Sequence, residues 1–396
     1  MPVGQGLPQE ESCMAFEYNR KLFSPEHEQF RETVRRFIAS ELEPNIDKWL
    51  EGDGVPRSFW LKAASTGLLG VSTPEEYGGP GGDFLHRVVI SQEIGYSIAG
   101  ASMAALWEAD QLAEQLLDHG TEDQKRTWLP RMARGETRFA FAVTEPNTGS
   151  DVAAIRTTAV RDGESYVING SKTYISGVMS ADALLLGCKT KADAGNRGIS
   201  VIIVEADRPG VRRGRQLKKM GMNAADTGEF FFENVRVPVS NRFGDENNGF
   251  KVFMSALNRD RFLWSMISHA AAARAFDLTV DFVKNRKAFG QTIFDFQNTQ
   301  FRLAEMKTDL AVGRAFLDDC LRSYLESGTF DSLKSAMAKM WLPEMEGRII
   351  DQCVQLHGGA GYMDEYPISR LYTAARLHRI FAGTAEIMRL TVARSI

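Results

Sequence analysis

Five short stretches of this sequence concentrate hydroxyl, amide, arginine and glycine groups of the kind that bind polar or anionic ligands. They are Val143-Thr-Glu-Pro-Asn-Thr-Gly-Ser-Asp151, Lys172-Thr-Tyr-Ile-Ser176, Arg286-Lys-Ala-Phe-Gly290, Gln355-Leu-His-Gly-Gly359 and Phe381-Ala-Gly-Thr384. Glycines let a backbone approach a ligand closely and turn its N–H groups toward anionic oxygens. Taken singly, each stretch is also an ordinary loop: the first is a sound turn and helix-cap sequence, and Arg286-Lys287 is a helix-end charge pair. An aromatic such as Tyr174 within a strand is ordinarily core. No Gly-x-Gly-x-x-Gly opens a helix after a strand, and neither a Walker loop nor a Gly-x-Ser-x-Gly elbow occurs. Cys13, Cys188, Cys320 and Cys353 lie far apart with no zinc-type spacing, which fits a reducing compartment and leaves no metal constellation.

The elements that must position these stretches change period twice. From Ser24, a cap, a first-turn proline and early acids precede Phe30, Val34, Phe37 and Ile38 at helical spacing. Helical patterns recur to about Gly135, with an apolar face through Val88–Leu117 that suits a buried helix pair. The Gly/Pro-rich run 73–82 reads as a surface turn. Near Phe139 the pattern becomes that of strands: Phe139–Val143, Ser165–Ile168, Ala183–Leu186, Ile199–Val204 and Glu229–Val237. Asp162-Gly163 and Asn169-Gly170 supply tight-turn chemistry between them. After Gly249 helical spacing returns, clearest over Ala270–Phe282 and Gln300–Leu325.

The order is therefore α, β, α: a tail over 1–21, a helical domain over 22–138, a β domain over 139–248 and a helical bundle over 249–396. With 396 residues, 43% hydrophobic and 25% charged, the chain is an ordinary globular protein with a substantial core. A net charge of −4 gives no broad positive field for nucleic acid or anionic membrane. No uninterrupted apolar run reaches membrane-spanning length and the N-terminus lacks a signal-peptide pattern, so a cytoplasmic protein is expected.

Together, in this order and on this α-β-α pattern, the five stretches resemble the acyl-CoA dehydrogenase family of flavoproteins, over about residues 22–396. The tail from Phe316 through Asp351-Gln-Cys-Val-Gln-Leu-His-Gly-Gly to Glu386-Ile-Met looks most like the long-chain and isovaleryl branches. The resemblance implies an α+β fold with an N-terminal helical domain, a central β domain and a C-terminal four-helix bundle, assembled as a homotetramer that binds FAD. It also implies that Phe141, Val143 and Thr144 contact the flavin ring edge, and that Ser150 contacts the phosphate-bearing arm of the thioester. Tyr174 would lie against the flavin face and Ser176 near N5, paired at i and i+2 on one strand face. Arg286, Phe289 and Gln297 would reach the adenosine half of a neighbouring subunit's FAD, with Gln355 and Gly359 near the pyrophosphate. Thr384 and Glu386 would complete the flavin site, while Arg261, Ala382 and Gly383 would contact substrate.

The family reaction takes the α proton of an acyl-CoA thioester with a carboxylate while the β hydride leaves for flavin N5, giving a trans-2-enoyl product. Most members carry that base as a glutamate just before the final Gly-Thr, where this chain has Ala382. The long-chain and isovaleryl branches instead carry it in a Leu-x-x-Glu-Arg pattern, which here reads Leu257-Asn-Arg-Asp260-Arg261. Asp260 is thus the expected base and Glu386 the second candidate. As a bare residue, Asp260 reads as a helix-surface acid paired with Arg259 or Arg261, a reading the resemblance reverses. Its side chain is one methylene shorter than glutamate, about 1.5 Å of reach, and an uncompensated displacement of about 1 Å costs roughly a hundredfold in rate. The backbone N–H of Ala382 is indifferent to the side chain and would still polarise the thioester carbonyl.

Electron-transfer flavoprotein is the partner the resemblance implies. Three other readings stay open from sequence: a dehydrogenase of carrier-protein thioesters, a flavin oxidase, and a flavin- or thioester-binding protein that has lost its base. His357 and His378 receive no catalytic assignment.

Overall fold

The computed structural model describes residues 21–396, so the expected N-terminal tail up to residue 20, Cys13 included, lies outside the described residues. The N-terminal part runs α1 (Pro25–Phe37), the one-turn α2 (Ile46–Lys48), α3 (Arg57–Ser65), α4 (Phe84–Tyr96), α5 (Ile98–Glu108), α6 (Leu112–His119) and α7 (Glu122–Ala133). The central part holds β1 (Phe139–Ala142), β2 (Thr158–Asp162), β3 (Ser165–Ser176), β4 (Ala183–Lys189), β5 (Ile199–Glu205), β6 (Val211–Arg213), β7 (Thr227–Pro238) and β8 (Arg242–Phe243). The C-terminal part comprises α8 (Gly249–Asn285), the short hairpin β9 (Lys287–Ala288) and β10 (Gln291–Thr292), α9 (Gln297–Ser327), α10 (Ser332–His357), α11 (Pro367–His378) and α12 (Ala385–Ala393). The three parts follow the expected α, β, α order.

Both α1 and α4 start on capping boxes whose third helical residue is a histidine: Ser24 with His27, and Asp83 with His86. The caps interlock, since His27 Nε2 lies 3.0 Å from Asp83 Oδ1 and His86 Nδ1 lies 2.9 Å from the same oxygen. These three residues bring potential metal-ligand atoms within 4.8 Å of one another. The sequence reading saw no such group because 56 positions separate His27 from Asp83. The run Val88–Leu117, expected as a helix pair, is three helices, broken at Ser97 and again before Leu112. The run 73–82 is less of a surface feature than expected: Tyr77 is buried, and a Cβ on Gly79 would sit 2.2 Å from the Thr73 carbonyl oxygen.

The sheet order is β6-β7-β3-β2-β4-β5-β8, with β1 pairing in parallel against β4. All of β4 is buried because both of its faces are covered. Leu184 and Leu186 join Tyr166, Ile168, Ile202 and Phe230 in one core, while Ala183 and Leu185 join Leu112, Leu116, Leu129 and Phe253 beneath the helices. Gly163 turns the hairpin from Asp162 to Ser165, as expected. Asn169-Gly170 is not a turn; it lies inside β3 as a bulge, where Gly170 lets Thr157 approach closely. A second register shift falls between Lys172 and Ile175, with Tyr174 left-handed at φ +56°. The alternation that would place Tyr174 and Ser176 on one strand face is therefore interrupted at Tyr174 itself.

The expected helices over 270–282 and 300–325 are the interiors of longer ones, α8 and α9. Helices α8, α9 and α10 are the long members of the C-terminal bundle, which α11 and α12 complete by packing on α10. Helix α4 crosses α8 closely because residue 95 is glycine: a Cβ there would lie 2.7 Å from the Ile267 carbonyl oxygen. This contact buries the segment of α8 that follows Asp260. Among the described residues no helix is long and apolar enough to cross a membrane.

Candidate active site

Helix α8 carries Asp260 and Arg261 into the interior, both about nine-tenths buried. Asp260 is paired with neither flanking arginine. Arg259 turns to Glu114 (3.0 Å) and Asp118 (3.4 Å), and Arg261 donates through Nη1 to Asn258 Oδ1 at 3.3 Å. Asp260 instead accepts from Gln111 Nε2 at 3.0 Å, a residue in the link between α5 and α6. Burial pushes the Asp260 carboxyl above the usual carboxylate range, while Gln111, the positive fields of Lys339 and Arg261, and the Trp264 indole favour its ionised form.

The loop after α11 closes over this segment. Phe381 sets its ring edge against Trp264 at 4.2 Å, one helical turn beyond Asp260. Ala382 is left-handed at φ +53° and Gly383 follows at φ +94°. A Cβ on Gly383 would lie 3.7 Å from Arg261 Nη2, so loop and arginine are adjacent. Arg261 Nε is buried without a hydrogen-bond partner. Thr384 caps α12 by accepting from Ile387 N–H at 3.3 Å. Asp260, Arg261, Ala382 and Gly383 thus converge, with Thr384 at the edge. Glu386 stands apart: its side chain is 79% exposed in the first turn of α12 and its acidity is increased by local hydrogen bonds.

A second cluster is tied to α8 through Phe141. Glu145 accepts backbone N–H bonds from Arg156 (2.6 Å) and Thr157 (2.9 Å) and is paired with the fully buried Lys172 at 2.8 Å. Lys172 also donates to the Val143 carbonyl at 2.8 Å, and Thr173 N–H donates to the Thr144 carbonyl at 2.9 Å. These bonds hold Val143 and Thr144 beside the bulge of Tyr174, whose ring is 70% exposed. Phe141 meets Phe253 of α8 edge-on at 5.3 Å, two turns before Asp260. Ser176 is half-buried at the end of β3, and Ser150 is exposed at the loop tip.

The remaining predicted residues are not brought to Asp260. Arg286 caps the C-terminal end of α8, 26 residues beyond Asp260, about 39 Å at 1.5 Å per residue. It lines a cleft of about 450 Å³ with Asp281, Phe282, Asn285 and His357. His357, stacked on Phe282 at 4.3 Å, links this cleft to the exposed Gln355 and Gly359. Phe289 is 96% exposed on the β9–β10 hairpin, and Gln297 is exposed at the start of α9.

Sequence reasoning missed Gln111, Lys339 and the Glu346–His378 pair. Only Lys339 left a legible trace, a lysine on the apolar stripe Ala336, Lys339, Leu342, Pro343 that the structure buries.

Comparison with known proteins resolves the class. The descriptions "Acyl-CoA dehydrogenase, N-terminal domain", "middle domain" and "C-terminal domain" match residues 24–136, 140–235 and 247–396. The chain belongs to the acyl-CoA dehydrogenase family and is an oxidoreductase of that class. It is 41% identical over 379 residues, 95% of this chain and 88% of the relative, to the mitochondrial long-chain specific acyl-CoA dehydrogenase of Rattus norvegicus. Among solved structures, an acyl-CoA dehydrogenase from Geobacillus kaustophilus superposes with a TM-score of 0.91 at 41% identity, covering 94% of this chain and 98% of that one. A Bacillus anthracis acyl-CoA dehydrogenase complexed with FAD superposes at 0.89 and 29% identity, covering 96% and 68%. FAD is the cofactor of this family. The chain fits it: an aromatic ring stands exposed on a left-handed bulge at Tyr174, and hydroxyl and backbone groups gather at Thr144 and Ser176.

Proposed function

We propose that the protein oxidises an acyl-CoA thioester to its trans-2-enoyl form, with Asp260 removing the α proton. The observation that carries this reading is a buried carboxylate free of both neighbouring arginines, lying beneath a final loop that has no carboxylate of its own. Burial raises its affinity for a proton, which suits a base, and the neighbouring positive groups favour the ionised state needed to accept one. The Ala382 N–H donates to the thioester carbonyl and stabilises the enolate that develops as the proton leaves. Arg261 contacts the carrier arm, and Ser150 its phosphate-bearing end. Bound FAD supplies the acceptor for the β hydride.

Phe141, Val143, Thr144, Tyr174, Ser176 and Thr384 hold the flavin within one protomer in this reading. Arg286, Phe289 and Gln297 serve the adenosine half of a neighbour's FAD, and Gln355 and Gly359 its pyrophosphate, in a homotetramer, which accounts for their distance from Asp260. Glu386, exposed on α12, supports the flavin side. Electron-transfer flavoprotein is the electron acceptor. The acyl group is medium to long or branched by kinship with the long-chain branch.

The test is anaerobic mixing with a panel of acyl-CoA thioesters, following flavin absorbance in wild type and Asp260→Asn. Rapid bleaching that the substitution abolishes, with ligand still bound, is the expected result. Unchanged bleaching in Asp260→Asn would reject the assignment and move it to Glu386.

A further inference from the structure

We propose that Lys339 is a positioning residue that clamps the final loop, and with it the Ala382 N–H, over Asp260. The proposal rests on the reading of Asp260 as base and Ala382 as carbonyl donor.

Lys339 is 1% exposed, and its ammonium is spent on main chain: Nζ donates to the His378 carbonyl at 2.6 Å and to the Phe381 carbonyl at 3.1 Å. Those carbonyls end α11 and enter the loop, where a helix terminus leaves acceptors without intrahelical donors and a partial negative charge. The same ammonium lies 5.3 Å from the centre of the Phe381 ring. Lys339 therefore binds the loop at both ends of the turn that leads into Ala382.

A second grip comes from the same face of the same helix. Glu346 lies seven residues, two turns, beyond Lys339 on α10. It is fully buried and takes His378 Nδ1 at 2.8 Å, with Ser268 of α8 at 3.2 Å from the same nitrogen. His378 is thus held by its carbonyl through Lys339 and by its ring through Glu346. Trp264 packs on both rings of the segment, 5.3 Å from His378 and 4.2 Å from Phe381.

Stability alone is a poor reason for this arrangement. An ammonium removed from water loses hydration that its partners must restore, whereas a methionine of similar length would fill the space. What the ammonium provides that an apolar chain does not is directional bonds to two chosen carbonyls. Ala382, a non-glycine residue in the left-handed region, keeps that conformation only where its surroundings impose it.

The experiment compares holoenzymes of wild type, Lys339→Met and Asp260→Asn. It measures kcat and KM on the best acyl-CoA of the panel, and amide hydrogen exchange over residues 379–384. In Lys339→Met, loop exchange should accelerate and kcat should fall about tenfold to a hundredfold, the cost of about an ångström of misplacement, with KM nearly constant and flavin content unchanged. Asp260→Asn should lose kcat while keeping the loop protected, so failure of the base assignment leaves the loop measurement standing. Lys339→Gln, neutral but still a donor, serves if methionine is not tolerated and should show a smaller change in the same direction. Wild-type kcat and wild-type loop exchange in either lysine variant would overturn the proposal.

Discussion

Gln111 spends one end of its carboxamide on Asp260, Nε2 to Oδ1 at 3.0 Å, while its Oε1 is buried with no hydrogen-bond partner. The donated bond favours the ionised carboxylate against the desolvation that opposes it. Removing it in Gln111→Leu should raise the proton affinity of Asp260 further. A base that holds its proton cannot accept another, so the acid limb of kcat/KM should move to higher pH than in wild type. A pH profile with an unmoved acid limb would count against Asp260 as the group that titrates there.

Activity at high pH should follow Lys339. Burial pulls its ammonium down to about 8, with Arg261 acting in the same direction and Asp260 and Glu346 opposing. His378, whose carbonyl Lys339 holds, packs beside it. As pH rises through about 8 the charge is lost and kcat should decline, a limb that Lys339→Met should lack. Stability should move the other way. The unfolded chain keeps this proton up to about 10.4, so between the two values it binds more protons than the folded chain, and stability from this group rises with pH. Opposite slopes of kcat and of the urea midpoint across that window are the expected pattern.

Lys172→Met should cost about 3 kcal/mol in chemical denaturation, since it strands the buried Glu145 carboxylate. Because the same lysine ties down Val143, the variant should also retain flavin poorly after gel filtration. A stable variant with full flavin content would show that the loop is held by its backbone bonds alone.

Ala382→Gly should raise stability by up to about 1 kcal/mol by relieving a left-handed alanine. The backbone N–H remains, so kcat should stay within about threefold, the smaller change expected where no transition-state bond is removed. Gly383→Ala should do the opposite, because its Cβ would fall 2.8 Å from Met388 Cε at φ +94°. Thermal melts of the pair give the comparison directly.

The order of helical and strand regions was legible because period is local: continuous apolar runs marked β4 and β5, and capping residues marked α1. Bulges were not, because Asn169-Gly170 has turn chemistry and only its pairing against Phe232 in β7 shows it to be strand. The convergence of Asp260 with Ala382 came from likeness to a family, not from spacing. The partners that define Asp260 are long-range: Gln111 lies 149 residues away. Nothing local distinguishes a glutamine that reaches a carboxylate from one that faces water, and Lys339 reaches residues 39 and 42 positions on.

The length of α8 has a genetic consequence. One continuous helix places Asp260 and Arg286 about 39 Å apart, so in the shared-site reading a single polypeptide contributes to two different flavin sites. An assembly mixing Asp260→Asn subunits with Arg286→Ala subunits would then contain some sites built wholly from intact residues. Two inactive alleles expressed together should restore part of the activity that neither shows alone.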